Sequence, residues 1–178
     1  MTTPDYSESW PIPNAPVVLR KSEIGFSSLI DSETIENFLL NKEQLRILFS
    51  HNTSLGTIRG LHFQKQELNE WKFVYCVSGS VFDVLVDIRL GSGNFGKWTS
   101  YSLKDSDELG LVIPPGFAHG YQTLTDNTLI NYVISGSKST NHVLALDPLS
   151  TEIDIAWPFR DQILRESTSN YLTLADIN

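Results

Sequence analysis

The chain of 178 residues lacks several features that would assign it to a special class of protein. Its one cysteine, Cys76, excludes an intrachain disulfide, and its place in the apolar run FVYCVSG predicts a buried structural thiol. No window approaches the roughly 18 uninterrupted apolar residues that a membrane span needs. The N-terminus, MTTPDYSESW, also lacks the basic and apolar regions of a signal peptide. We therefore expect a cytoplasmic protein with no membrane partner.

Positive charge is scarce as well. The chain has 13 Lys and Arg residues against 21 Asp and Glu, which gives a formal net charge of -8. Sequence-independent nucleic-acid binding needs clustered cations, so we expect no nucleic-acid partner. Glycine-rich phosphate loops of the Rossmann or Walker type are also missing, which argues against those routes to nucleotide binding. A few local cations could still hold one small anionic ligand.

The chain does contain a series of short β-prone segments. From about Gly56 to Ser135, segments rich in Val, Ile, Phe and Tyr alternate with the turn sequences SGS, GSGNFG, KDSDELG, PPG and TDN. This rhythm predicts a mainly β fold, either a sandwich or a jelly-roll barrel. The length predicts a single domain over residues 1–178, with a core at about 45–150 and the C-terminal tail packed on it. DSETIENFLLNKEQL permits a short peripheral helix that begins near Asp31 or Ser32.

One strand candidate, VFDVLVDIRL, separates into two unlike faces. Because side chains alternate along a strand, one face is entirely apolar and the other mixes Asp83 and Asp87 with Val81 and Leu85. The mixed face is either exposed to solvent or lines a polar cavity inside a barrel. Taken alone, this strand favours exposure.

The stretch GTIRGLHFQ places Arg59 and His62 within one β-prone run. In an ideal strand these two side chains lie on opposite faces. Gly60, which lies between them, permits a bulge or bend that would turn both toward one cavity. Arg59 and His62 therefore either lie on the solvent-exposed face of a strand or belong to a functional site.

Metal binding is not expected. The four histidines, His51, His62, His119 and His142, form no His-x-His pair and have no other close-spaced ligands of the kind that metal sites usually have. A lone histidine in an apolar strand more often has a structural role.

Four sequence blocks occur in order at close intervals: IRGLHFQ, KFVYCVSGSVFDVLVDIRLGSGNFGKW, IPPGFAHGY and LINYVISG. From Gly56 to Tyr132 the chain thereby resembles the dTDP-4-dehydrorhamnose 3,5-epimerase family. The resemblance implies a cupin-type jelly-roll barrel with short peripheral helices. It also implies action on nucleotide-linked 4-keto-6-deoxy sugars without a metal or cofactor, and a homodimer that exchanges N-terminal strands.

The resemblance also implies roles for particular residues. A ketone at C4 of the sugar acidifies the protons on C3 and C5, so the reaction needs a base, an enolate stabiliser and a proton donor on the opposite face of the ring. By resemblance these are His62, Lys72 and Tyr132 in that order. The implied substrate-binding residues are Arg59, on the diphosphate, together with His119, Asp83 and Gln64.

The sequence departs from the family pattern at three places. Ile24 stands where the family has a phosphate-binding arginine, and SGSKS replaces aromatic residues that pack on the nucleotide base. Both changes concern the nucleotide, which therefore need not be dTDP and could for example be CDP. The family also pairs its base histidine with a C-terminal aspartate, and no aspartate is in register around Ser167–Ser169. The carboxylates that could replace it are Asp83, Asp161 and Glu166.

These features predict an epimerase that inverts C3, or C3 and C5, of a nucleotide-linked 4-keto-6-deoxyhexose in deoxysugar biosynthesis, as for lipopolysaccharide O-antigen or natural products. Two alternatives remain open. One is a 3,4-ketoisomerase of the same substrate class, which has similar acid–base needs. The other is a cupin that binds the sugar nucleotide without catalysis because the carboxylate partner of His62 has been lost.

Overall fold

The computed structural model describes residues 17–22, 25–27, 45–65, 70–107, 109–135, 143–161, 163–164 and 170–177. The helix expected near Asp31 and Ser32 lies outside these ranges. The strands, β1 to β12 in chain order, are Val17–Ser22, Gly25–Ser27, Arg46–Asn52, Thr57–Phe63, Trp71–Ser78, Ser80–Asp87, Trp98–Lys104, Leu109–Ile113, Phe117–Thr123, Thr128–Ser135, Leu144–Ala145 and Ile163–Leu164. Two 3₁₀ turns, Asp105–Asp107 and Leu174–Asp176, are the helical elements of the described residues. Within these ranges no helix has the length and apolar character needed to cross a bilayer.

The strands form two sheets. Within the described residues the first sheet has the order β2-β1-β8-β5-β10-β3, and the second has the order β11-β4-β9-β6-β7. Neighbouring strands along both orders are antiparallel, and β12 adds a short parallel pairing to β4. Strands distant in sequence therefore lie side by side, as in a jelly roll. The expected mainly β fold is confirmed.

An inner core fills the space between the two sheets. Both sheets contribute buried side chains to it, among them Val74, Leu85, Leu111 and Ile130. Cys76 belongs to this core, and its Sγ contacts the carbonyl oxygens of two following residues at 3.2 and 3.3 Å. Burial raises the pKa of the Cys76 thiol to about 11. The expected buried thiol is confirmed.

An outer core covers the opposite face of the second sheet. C-terminal residues with little regular structure supply part of it, including Leu146, Ile153, Trp157 and Leu174. They pack against apolar side chains of β4 and β6, which are Ile58, Leu61, Phe63, Val84 and Val86. The second sheet is therefore covered on both faces.

This double covering corrects one expectation. Asp83 and Asp87, on the mixed face of β6, are both completely buried, so the favoured interpretation of that face as exposed is wrong. The apolar residues beside them, Val81 and Leu85, belong to the inner core. The mixed face therefore looks into the barrel, and the apolar face of β6 packs in the outer core.

Candidate active site

A cavity of about 390 Å³ lies between the sheets, within the size range of small-molecule sites. Its walls come from β3, β4, β5, β9 and β10, together with residues that flank the strands. Six of the seven residues predicted from the sequence line it: Arg59, His62, Gln64, Lys72, His119 and Tyr132. Residues that are up to 73 positions apart therefore meet at one place.

A bend at Gly60 brings Arg59 and His62 to the same cavity. The pairing of β4 with β9 shifts register between these two residues, and Gly60 has a φ of 113°. A Cβ atom at Gly60 would lie only 2.6 Å from the Cα of Gly120 on β9. Glycine is therefore needed both for the backbone conformation and for the close approach of the two strands. The strand therefore has the bend that Gly60 permits, and both side chains line the cavity.

Arg59 is held by a polar group that the sequence did not single out. Its Nε donates to Asn52 Oδ1 at 2.8 Å, and Asn52 Nδ2 donates to Tyr121 Oη at 3.0 Å. The Tyr121 hydroxyl lies 2.7 Å from Ser50 Oγ. Asn52 and Ser50 belong to β3, whereas Arg59 and Tyr121 belong to the other sheet. These bonds fix the guanidinium at the cavity wall and connect the two sheets.

Asp83 supports the cavity from behind. His119 Nε2 lies 2.8 and 3.0 Å from the two Asp83 carboxylate oxygens, so the imidazole N–H donates to the carboxylate. Burial raises the pKa of the Asp83 carboxyl, and the neighbouring His119 opposes that rise. Asp83 is not among the side chains that line the cavity, contrary to expectation, and its contact with the site is through His119, which does line it.

Burial shifts the pKa values of Lys72 and Tyr132 in opposite directions, and in each case it disfavours the charged form. Burial lowers the pKa of the Lys72 ammonium, and Glu70 opposes this effect. Burial also raises the pKa of Tyr132 well above its usual value, with further contributions from Tyr121 and Asp83. Tyr132 therefore keeps its proton at neutral pH, which a proton donor must do before it can act. Its ring packs edge-on against His119, with centroids 6.0 Å apart.

Two charged residues of the site were not predicted from the sequence. Glu70 and Arg46 both line the cavity and form an ion pair with an oxygen–nitrogen distance of 2.8 Å. Glu70 also accepts a hydrogen bond from Gln64 Nε2. Glu70 immediately precedes β5 and resembles an ordinary charge before a strand, so no signal in the sequence would have found it.

The structure narrows the choice of carboxylate partner for His62. Asp83 bonds His119 instead. Asp161 is exposed and its main chain lies beside Gly56, before the start of β4. His62 is six residues after Gly56, so about 20 Å of extended chain separates His62 from the place where the Asp161 main chain lies. Glu166 lies outside the described residues, as do Ser167–Ser169, Ile24 and all of the SGSKS stretch after Ser135, which ends β10.

The histidines do not form a metal centre in the part of the chain that the structure describes. No group of three or more His, Cys, Asp or Glu side chains is placed there so that it could hold a metal ion. His142 lies outside the described residues.

The fold and the cavity define a cupin-type β-barrel protein with acid–base side chains around a small-molecule site. A family model described as dTDP-4-dehydrorhamnose 3,5-epimerase matches residues 22–176. The chain belongs to this family, as the four sequence blocks predicted.

Known proteins of the family are similar over most of the chain. A dTDP-4-dehydrorhamnose 3,5-epimerase of Sinorhizobium fredii is 38% identical over 129 residues, which is 72% of this chain and 66% of the relative. One of Mycobacterium tuberculosis is 39% identical over 61% of this chain and 54% of the relative. The chain thus spans about half to two thirds of the length of these relatives.

A solved structure extends the similarity to the fold. The dTDP-6-deoxy-D-glucose-3,5-epimerase of Legionella pneumophila, in complex with dTDP-4-keto-L-rhamnose, superposes with a TM-score of 0.70. It is 29% identical and covers 90% of this chain and 86% of its own.

Proposed function

We propose that the protein is an epimerase of a nucleotide-linked 4-keto-6-deoxyhexose, which inverts C3, or C3 and C5. One observation carries the proposal: His62, Lys72 and Tyr132 line one cavity in a member of this family, and Tyr132 keeps its proton there. A base, a cation and an acid around one small molecule are what inversion next to a ketone requires.

In the proposed reaction the His62 imidazole removes the proton from C3, and the electron pair of that bond moves onto the C4 oxygen. The Lys72 ammonium stabilises this enolate oxygen. The Tyr132 hydroxyl then gives its proton to C3 from the opposite face, leaving a phenolate that must regain a proton before the next turnover. Repetition at C5 would give the double epimer. No metal or other cofactor takes part in this scheme.

The remaining predicted residues would bind the substrate. The Arg59 guanidinium, fixed by Asn52, can donate two hydrogen bonds to a diphosphate. His119, fixed by Asp83, faces the same space, as does Gln64. The altered nucleotide elements favour a nucleotide other than dTDP, for example CDP. We place the enzyme in the cytoplasm, in deoxysugar biosynthesis.

We also propose a homodimer. In the described residues β3 is the edge strand of the first sheet, and it carries Ile47 and Phe49 with 65% and 64% of their surfaces exposed. Contiguous apolar side chains on an edge strand are typical of an interface. A second copy of the chain is the partner that the family resemblance implies, and sedimentation measurements would test it.

Incubation in deuterated water with dTDP-, CDP-, UDP- and GDP-linked 4-keto-6-deoxy sugars tests the activity. Proton NMR should show deuterium at C3, or at C3 and C5, with one of them. Absence of label with all four would overturn the proposal. A carbonyl moved to C3 would identify a ketoisomerase instead, and binding without label a non-catalytic binder.

The residue roles have their own test. His62→Asn and Tyr132→Phe should each lower kcat by about a hundredfold or more and leave substrate affinity nearly unchanged. Tyr101→Phe is the matched control, because Tyr101 is buried in the inner core and does not line the cavity. An unchanged rate in either of the first two variants would contradict the assigned role.

A further inference from the structure

Glu70 and Arg46, the charged residues that the sequence did not predict, belong to a larger cluster at the cavity wall, which we call the Glu70 cluster. It consists of Glu70, Arg46, Gln64 and Lys72. One carboxylate oxygen of Glu70 accepts hydrogen bonds from Arg46 and Gln64, and the other lies 3.5 Å from Lys72 Nζ. Lys72 Nζ also donates to the His62 carbonyl oxygen at 3.4 Å. Glu70 therefore connects β3, β4 and β5 around a single carboxylate.

The cluster keeps three charges away from water. The Glu70 side chain is 8% exposed, that of Lys72 12% and that of Arg46 21%. Removing charges from water is costly unless they are paired and hydrogen-bonded. A simple apolar wall would cost less, so the arrangement calls for a reason beyond stability. Only Lys72 of these three has a role in the proposed reaction.

We propose that Glu70 is a positioning residue of this enzyme: its carboxylate holds the Lys72 side chain against the cavity and keeps it a cation. The inference rests on the proposed function for its catalytic consequence, since a cationic Lys72 matters for stabilising the enolate oxygen. The carboxylate itself does not exchange a proton with the substrate. Arg46 and Gln64 hold the carboxylate in place, so that it cannot turn into the cavity and repel an anionic substrate.

The charges around Lys72 support this assignment. Burial lowers the pKa of the Lys72 ammonium, Glu70 raises it through charge and hydrogen bonding, and Arg46 lowers it. Asp83 on β6 raises it by a smaller amount. The other titratable or charged groups around the same cavity are His51, Arg59, His62, His119, Tyr121 and Tyr132. Glu70 is the carboxylate with the largest effect on Lys72.

Glu70→Gln tests the proposal by removing the charge while retaining the shape. The alkaline limb of the kcat profile should move to lower pH by about one unit or more, because an opposite charge at this distance shifts a pKa by about that much. This limb reports Lys72, since the pKa of Tyr132 is raised well above 10.0. Asp87→Asn is the matched control, because it removes another buried carboxylate that pairs with an arginine outside the cavity. In Asp87→Asn the alkaline limb of the kcat profile should lie at the same pH as in the wild type.

Arg46→Gln gives a second test with the opposite sign, which covers the case in which Glu70→Gln does not fold. Loss of this cation should make Lys72 easier to protonate, so the alkaline limb should move to higher pH. A purely structural role would move the limb in neither variant, or in the same direction in both, and either result would overturn the proposal.

Nuclear magnetic resonance separates this inference from the proposed function. The ¹⁵N signal of Lys72 Nζ, assigned by its loss in Lys72→Arg, can be titrated without any substrate. Glu70→Gln should lower its midpoint and Arg46→Gln should raise it. If no sugar nucleotide turns over but both shifts occur, the proposed function fails while the electrostatic role of Glu70 stands. An unshifted midpoint in Glu70→Gln overturns the proposal even in an active enzyme.

Discussion

Asp83 and Asp87 occupy the same face of the same strand, four residues apart, and both are completely buried. In the middle of β6, Asp83 bonds His119 at the back of the cavity. At the end of the strand, Asp87 accepts bonds from the Arg89 backbone N–H and guanidinium and from Ser92. The pKa of Asp83 is raised by burial, whereas that of Asp87 is lowered by the bonds from Arg89 and Ser92, which outweigh its burial.

The opposite pKa shifts have opposite consequences for stability. A raised pKa means that the folded protein disfavours the carboxylate of Asp83 relative to its neutral form. A lowered pKa means that folding is stabilised by the carboxylate of Asp87. Sites often retain groups that cost stability, because function requires them. We propose that Asp83 is such a group, because it bonds His119 of the cavity, and that Asp87 is its structural counterpart.

The largest expected effect is the loss of activity in Asp83→Asn. The amide has the same shape but no charge and only one acceptor oxygen, so the bond that fixes the His119 ring is weakened. We expect kcat/KM for the ketosugar to fall by about a hundredfold, the usual scale for a misplaced group at a site. Thermal stability should fall less than in Asp87→Asn, because burial disfavours the charged form of Asp83 in the folded protein. A large fall in melting temperature with normal activity would reverse the assignment.

Local sequence patterns predicted much of this molecule. The spacing of β-prone runs and turns predicted a mainly β fold, and the family resemblance of four blocks implied the barrel and singled out His62, Lys72 and Tyr132. Alternation could not distinguish Asp83 from Asp87, because a period of two gives both the same face. It could not find the pair of Arg46 and Glu70 either, because their contact depends on β3 and β5 both pairing with β10.

A smaller effect, on stability, is expected for Asp87→Asn. The carboxylate accepts bonds of 2.7 to 3.0 Å from Arg89 and Ser92, and the Arg89 side chain is only 13% exposed. We expect a loss of about 2 kcal/mol in the free energy of unfolding, typical of hydrogen bonds to a buried charge. Urea unfolding measures this loss, and the proposed epimerase activity should be unchanged. Reduced activity at full stability would mean that both aspartates serve the site.

The smallest effect is a difference in pH dependence between the two variants. The pKa of Asp87 in the folded protein lies below 3.8, so its contribution is complete above that pH and is lost as pH falls through the folded-state value. The advantage of the wild type over Asp87→Asn should therefore narrow below pH 3.8. The pKa of Asp83 in the folded protein lies above 3.8, so its effect on stability has the opposite sign. The wild type should lose stability relative to Asp83→Asn as the pH rises from 3.8 through the folded-state pKa. Urea midpoints of the wild type, Asp83→Asn and Asp87→Asn, measured between about pH 3 and about pH 7, test both trends. If the midpoints of the two variants differ from the wild type by the same amount at every pH, the two carboxylates are equivalent.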